Sequence, residues 1–289
     1  MCVRIIKMEK SMSYKIIGDS CTDLTPWMKK EGMVTLVPLT LEVGGQYRVK
    51  DDEGFNQAEF LAQMKKTNDA AKSACPSPDA FMENFEGADE VFVITLSGKL
   101  SGSFNSAVLA KKIYLEEHPK ARICIVDSKS ASVGQTLIAL KIKECYERKM
   151  SYPDILEEVR SFRDNLSTYF VLDSLDVLVK NGRVSRFVAS FAGVLNIKGI
   201  MAGEDGGIVK RDQARGMKKA LSKMAARIAE EVKDPENRIL AIAHCNAKER
   251  AESVKEELLS LVKFKDAFIV DTAGVSSMYA NDGGIIVAY

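Results

Sequence analysis

The segment at 91–114, VFVITLSGKLSGSFNSAVLAKKIY, limits the possible folds more than any other part of the chain. A run of branched apolar residues stops at two serine–glycine pairs and then turns amphipathic. The pattern predicts a strand over 91–96 and a helix over 103–117, joined by a loop carrying Ser97, Gly98, Ser101, Gly102 and Ser103. The same order recurs on both sides. YKIIGDSCTDLTPWMKKEGM reads as a strand, a polar turn and a helix capped by Thr22 or Thr25, with Pro26 at its first position. VTLVPLTLEV alternates as a strand and GGQY turns it back; NQAEFLAQMKKTND has helical spacing, and AAKSACPSP reads as a loop. ARICIVDSKSASVGQ repeats the motif, with a strand at 122–126, a polar loop and a helix from about 133 to 149. Strands alternating with helices build a parallel α/β layer.

After a helix at 153–164 the rhythm changes. STYFVLDSL opens a second region with a short helix ending in KNGR and the glycine turn GEDGGIVKR. A long helix at about 214–233, the strand RILAIAHC, a helix at about 247–260 and the strands AFIVDTAG and GGIIVAY complete it. The expected architecture is therefore α/β: an N-terminal parallel α/β domain at 13–165 and an α+β domain at 166–289. Residues 1–12 are expected to be a tail, because Met12 directly precedes the first credible strand. The length of 289 residues suits two domains. No linker composition separates them, so the halves are expected to pack tightly and to share a cleft.

Composition removes several function classes. A formal net charge of +1 offers no broad basic surface for nucleic acid or an anionic membrane. No apolar run approaches the ~18 residues of a membrane helix, and the start lacks a signal-peptide core. Six cysteines form no C-x-x-C pair, and His118 and His244 share no ligand spacing with them, so neither zinc nor a disulfide framework is indicated. The expected compartment is a reducing cytoplasm.

The chemistry concentrates in the loops that follow strands: GDSCTD at 18–23, LSGKLSGS at 96–103 and DSKSAS at 127–132. In open parallel sheets, ligands sit beyond the carboxyl ends of the strands. Ser101 and Gly102 open a helix, where backbone N–H groups and a hydroxyl favour a carboxylate or phosphate. Serine N-capping accounts for one hydroxyl there; two extra glycines exceed what a cap requires. Whether such an anion reacts or is only held stays open at this level. Neither G-x-G-x-x-G nor G-x-x-x-x-G-K-[ST] is present, and Lys99 occupies the position where a nucleophile elbow at Ser101 needs glycine. An acyl hydrolase would pair Ser101 with His244, which ends the strand in AIAHCN.

With these residues in hand, the chain resembles the DegV family of fatty-acid-binding proteins from about residue 14 to 289. The resemblance is carried by GDSCTDL, KSACPSP, LSGKLSGSFNSA, VDSKSASVGQ, LDSLDVLVKNGRVSR and GGIVKRDQARGMKKA in that order, and by a glycine-rich end. It implies a two-domain fold with one long-chain fatty acid buried between the domains and its carboxylate anchored in the first. By position, the family's threonine falls on Ser73 and the serine of its L-S-G-[ST] motif on Ser101, with Ser97 and Gly102 beside it. Two positions depart from the family pattern. Ala74 and Cys75 replace a serine and a glutamine, and Tyr279 stands where the family often has a histidine. The resemblance further implies that Arg183 and Arg215 contact a fatty acid kinase and the acyl phosphate, with Arg186 and Lys210 nearby. The expected function is to bury a fatty acid and present its carboxylate to the ATP-binding kinase subunit, feeding phospholipid synthesis, with no cofactor, catalytic residue or metal of its own. The alternatives are the hydrolase and a carrier of another amphipathic anion such as an isoprenoid or retinoid acid.

Overall fold

The computed structural model describes residues 13–185 and 196–289; the expected tail at 1–12 and Arg186 lie outside them. The first half is built on a parallel sheet. β1 (Tyr14–Asp19) lies in its middle, with β2 (Thr35–Val37) on one side and β6 (Glu90–Thr95), then β7 (Arg122–Asp127), on the other. Strand order reverses direction at β1, so the loops after β1 and β6 part there and leave a crevice above the sheet.

The expected long strand at VTLVPLTLEV is divided at Pro38. A proline has no N–H to continue a ladder, and the chain leaves the parallel sheet at that point. It re-forms as β3 (Thr40–Val43), which pairs antiparallel with β4 (Tyr47–Lys50) and with β5 (Lys72–Ala74) in a three-stranded sheet. The segment expected as the loop AAKSACPSP thus supplies a strand, with Ser73 opposite Leu41. It also supplies a short helix, α3 (Pro78–Met82), whose N-cap Ser77 accepts from Ala80 N at 3.3 Å.

Helix starts elsewhere follow local capping. Thr25 caps α1 (Pro26–Lys30), Asn56 caps α2 (Gln57–Lys65) and Ser151 caps α6 (Tyr152–Asp164), each side chain accepting an N–H from the first turn. α4 (Ser103–Glu117) begins where the sequence predicts.

In the second half, β8 (Thr168–Val171), β9 (Ile197–Glu204), β10 (Gly207–Arg215), β11 (Ile239–His244), β12 (Asp266–Asp271) and β13 (Ile285–Ala288) form a mixed sheet in the order β10-β9-β8-β13-β11-β12. α8 (Met217–Glu231) and α9 (Lys248–Leu261) cover one face through Ala220, Met224, Ile228, Val254 and Leu258. α5 (Val133–Glu147) covers the other. Ile138, Ala139 and Ile142 of α5 pack on the parallel sheet, while Val133 and Leu137 pack against Ala241, Ala243 and Ala288 of the mixed sheet. A helix apolar on most sides belongs between layers. Sharing α5 explains why no linker divides the sequence. Two short helices complete this half: α7 (Asp176–Lys180), as expected, and α10 (Gly274–Ala280), in a stretch that was read only as a strand-to-strand connection.

Candidate functional site

Three loops meet above the crevice, and buried aspartates organise them. Asp19, at the end of β1, accepts from Leu96 N at 2.7 Å, Gln135 Nε2 at 2.9 Å and Cys21 N at 3.3 Å. Asp127 accepts from Gly98 N at 3.1 Å and Lys129 N at 3.0 Å. Several amides that looked ready for an external anion are therefore engaged by the protein's own carboxylates. Ser97 is engaged too. Its buried hydroxyl donates to the Gly206 carbonyl at 2.7 Å, tying this loop to the β9–β10 hairpin of the other half. Gly206 has φ +79, and a Cβ there would lie 2.7 Å from Ser97 Oγ, so glycine is needed on both counts.

What remains available lies further along the loop. Ser101 is half-buried; its Oγ accepts from Ser103 N at 3.2 Å and sits beside the first turn of α4, whose amides lack helical partners. Gly102 fits closely against β5: a Cβ on it would lie 3.0 Å from Cys75 Sγ, and Ser106 Oγ donates to Pro76 O at 2.6 Å. The structure thus brings the Ser73 strand and the Ser101 loop together. The hydroxyls of Ser73 and Tyr279 make no hydrogen bond among the described residues.

Tyr279 lines the cavity from α10, a helix held by carboxylates far away in sequence. Asp51, buried, accepts from Gly274 N at 2.6 Å and Val275 N at 2.9 Å; Asp23, also buried, accepts from Ala273 N at 2.6 Å and from Ser132 Oγ at 2.5 Å. Two carboxylates of the first half therefore hold the positive end of a helix of the second. Gly274 is required by this approach, since a Cβ would lie 2.6 Å from Asp51 Oδ1 and 2.7 Å from Leu41 Cδ1. The available signal was an acid just after a strand in both GDSCTD and VKDDEG.

Burial pushes the Asp23 carboxyl up to about 7 and that of Asp51 up to about 6. Unfolded aspartates titrate near ~3.9, so the folded protein keeps protons that the unfolded chain has released. That contribution to stability is full below about pH 4 and is lost as pH rises through the folded values. Burial lowers the pKa of His244, which works in the opposite direction. We expect wild type to lose stability from pH 4 to 6.5 relative to Asp51→Asn, measured by urea denaturation across that range. Parallel pH profiles for the two proteins would mean that Asp51 is not held protonated.

Between the halves lies a mainly apolar cavity of about 100 Å³, lined among others by Leu96, Phe170, Leu172, Ile208, Val275 and Ile286. Tyr279, Leu100 and Arg183 also line it. Arg183, expected to contact the kinase and the acyl phosphate, donates from its Nε to Leu100 O at 3.0 Å and from its Nη1 to Asn181 O at 2.6 Å, so it braces the residue next to Ser101. Arg215 is exposed at the end of β10, opposite Ile197. Lys210 Nζ donates to Gln213 Oε1 at 2.7 Å.

His244 does not meet Ser101. It lines a separate polar cleft with Asp271 and Arg250, and its Nδ1 accepts from Ala247 N at 3.3 Å. The hydrolase alternative therefore loses its base. His118 closes the far end of α4 and stacks on Tyr114.

Comparison with known proteins agrees with this arrangement. A DegV domain-containing protein of Streptococcus pyogenes serotype M1 is 36% identical over 283 residues, spanning 96% of this chain and 99% of the relative. A crystal structure of a DegV family protein from Ruminococcus gnavus, described with vaccenic acid, superposes with a TM-score of 0.92 at 45% identity, covering 96% of this chain and 100% of that one. The Streptococcus pneumoniae Fatty Acid Kinase (Fak) B3 protein loaded with linoleic acid superposes with a TM-score of 0.87 at 32% identity, covering 96% and 99%. The family model described as "Uncharacterised protein, DegV family" matches residues 13–289, and the chain belongs to the DegV family.

Proposed function

We propose that this protein buries a long-chain fatty acid in the cavity between its halves and presents the carboxylate to a fatty acid kinase. The observation that carries this reading is an apolar cavity between the halves whose wall carries the Tyr279 hydroxyl and one arginine. A buried carboxylate needs donors on both oxygens. As donors we assign Tyr279, which lines the cavity, and, on the family resemblance, Ser73, Ser101 and the Gly102 amide. Ser97 serves the site by holding the loop. The 13–165 half anchors the head group, and the 166–289 half covers the chain and meets the kinase. A chain of roughly 16 carbons offers on the order of 12 kcal/mol of gross burial at ~0.8 kcal/mol per CH₂, which association costs reduce. The kinase partner is supported by likeness to the Fak B3 protein. Such a kinase uses ATP, which puts the protein in the cytoplasm; no described helix is long and apolar enough to cross a membrane.

Mass spectrometry of an organic extract of the purified protein is expected to find an intact fatty acid; an empty protein that takes up none would overturn the reading. Ser101→Ala should then weaken binding by roughly tenfold, the loss of one donor to a buried charge at ~1–3 kcal/mol. Ser73→Ala should do the same, and the double variant should fall short of additivity if both hydroxyls hold one carboxylate. Calorimetry at wild-type affinity for Ser101→Ala, with an unchanged melting curve, would remove that serine from the site.

A further inference from the structure

His244 has no part in the lipid cavity, yet it stands at a second opening in the second half. It ends β11, opposite Asp271 at the end of the parallel neighbour β12, and α9 starts just beyond it. A polar cleft of about 650 Å³ lies over these strand ends. Parallel strands that lead into helices hold ligands at their carboxyl ends. The cleft shares no lining residue with the apolar cavity.

Donors converge on this cleft. α9 runs for 14 residues, and no side chain caps its start. Ala247 N is taken by His244 Nδ1 at 3.3 Å, which leaves the amides of Lys248, Glu249 and Arg250 without helical acceptors. The His244 ring is a second and independent donor. Its side chain is only 5% exposed, and burial lowers its pKa, which favours the neutral imidazole. With Nδ1 accepting, the ring proton sits on Nε2. Asp271 Oδ1, at 3.5 Å, is too far to accept it, and Nε2 makes no hydrogen bond among the described residues. A buried N–H of this kind calls for an acceptor from outside. The acids around it are partly neutralised: Asp173 pairs with Lys198 at 2.9 Å and Asp282 with Lys65 at 2.7 Å, while Asp271 and Glu249 face Lys248 and Arg250 in the lining.

We propose that this cleft binds a small phosphate monoester. Its phosphate oxygens accept from His244 Nε2–H and from the first amides of α9, with Lys248 as the counter-charge. A hydroxyl on the alcohol part of the ester donates to Asp271, which is 81% exposed beside the imidazole. The site stands independently of the fatty-acid reading, because none of its residues lines the lipid cavity.

Two substitutions test the site. His244→Asn keeps an acceptor oxygen for Ala247 N and removes the Nε2–H donor. Lys248→Glu places a carboxylate in the first turn of α9, where it suits the helix and repels an anion, so this variant is expected to melt no lower than wild type. Isotope-labelled full-length protein would be titrated with inorganic phosphate and with glycerol phosphate at constant ionic strength, following the amide signals of residues 247–250 by nuclear magnetic resonance. Wild type is expected to show saturable shifts at these amides with both probes. Each variant is expected to bind both roughly tenfold more weakly, the loss of one charge-assisted contact. Fatty-acid affinity is expected to stay at the wild-type value in both. The absence of saturable shifts at these amides in wild type overturns the site, and so does an unchanged phosphate affinity in either variant. A matching loss of fatty-acid affinity would mark a general disturbance of the fold and overturn it as well.

Discussion

Asp51→Ala is expected to lower the unfolding free energy by about 2–4 kcal/mol and to weaken fatty-acid binding with it. Asp51 is the acceptor for two buried amides, Gly274 N and Val275 N, at the start of α10. Alanine leaves both without a partner, and each unmet buried donor costs ~1–3 kcal/mol. The loss of negative charge at the helix end adds to this. Asp23 still reaches Ala273 N, so α10 is loosened rather than released. Because α10 carries Ser276 and Tyr279 to the cavity wall, affinity should fall although Asp51 does not line the cavity. Asp51→Asn keeps one acceptor oxygen in place and should lose about half as much. Urea denaturation at pH 7.5 measures the first effect and calorimetry the second. Stability within ~0.5 kcal/mol of wild type for Asp51→Ala, the range of an ordinary surface substitution, would mean that this carboxylate does not hold the helix.

The sequence made the long elements legible and the site only in part. β6 and α4 were readable because an apolar run and a helical period each persist for several residues. β5 and α10 were not. Each is short and has a composition suited to a loop, and each is set by partners distant in sequence: β5 by β3, α10 by Asp23 and Asp51. Pro38 was visible, but alternation across it suggested one strand, while the missing N–H made it two. The hydroxyl-rich loops were legible as a cluster after the strands, and one of them meets the second half through Ser97 and Gly206. Their amides were misjudged, because Asp19 and Asp127 engage them across 77 and 29 residues of sequence. Long-range pairing of that kind leaves no local pattern. It is also why Ser97 and Ser101, four positions apart and alike in sequence, have different surroundings.

Arg183 and Arg215 were expected to act alike, and the geometry now separates them. Arg215 is exposed and outside the cavity lining, so Arg215→Ala should leave lipid affinity near wild type. Arg183→Ala should not. It removes the Nε–H donor to Leu100 O, the carbonyl next to Ser101, and takes a cation from the cavity wall. A lipid affinity lower by roughly tenfold is expected, in line with ~1.5–3 kcal/mol for a hydrogen bond involving a charged group. Kinase-dependent phosphorylation of bound lipid should fall in both variants, because guanidinium suits bidentate contact with phosphate and carboxylate. For Arg215→Ala the fall should persist at saturating lipid; for Arg183→Ala part of it should be recovered as lipid is raised. Arg183→Lys should recover little, since an ammonium cannot make the same two backbone contacts at once in a planar fork. The assay needs a fatty acid kinase, ATP and loaded protein, with lipid affinity measured separately. Wild-type affinity in Arg183→Ala would return that residue to the surface role first expected of it. Normal phosphorylation with Arg215→Ala would make Arg215 an ordinary solvated charge.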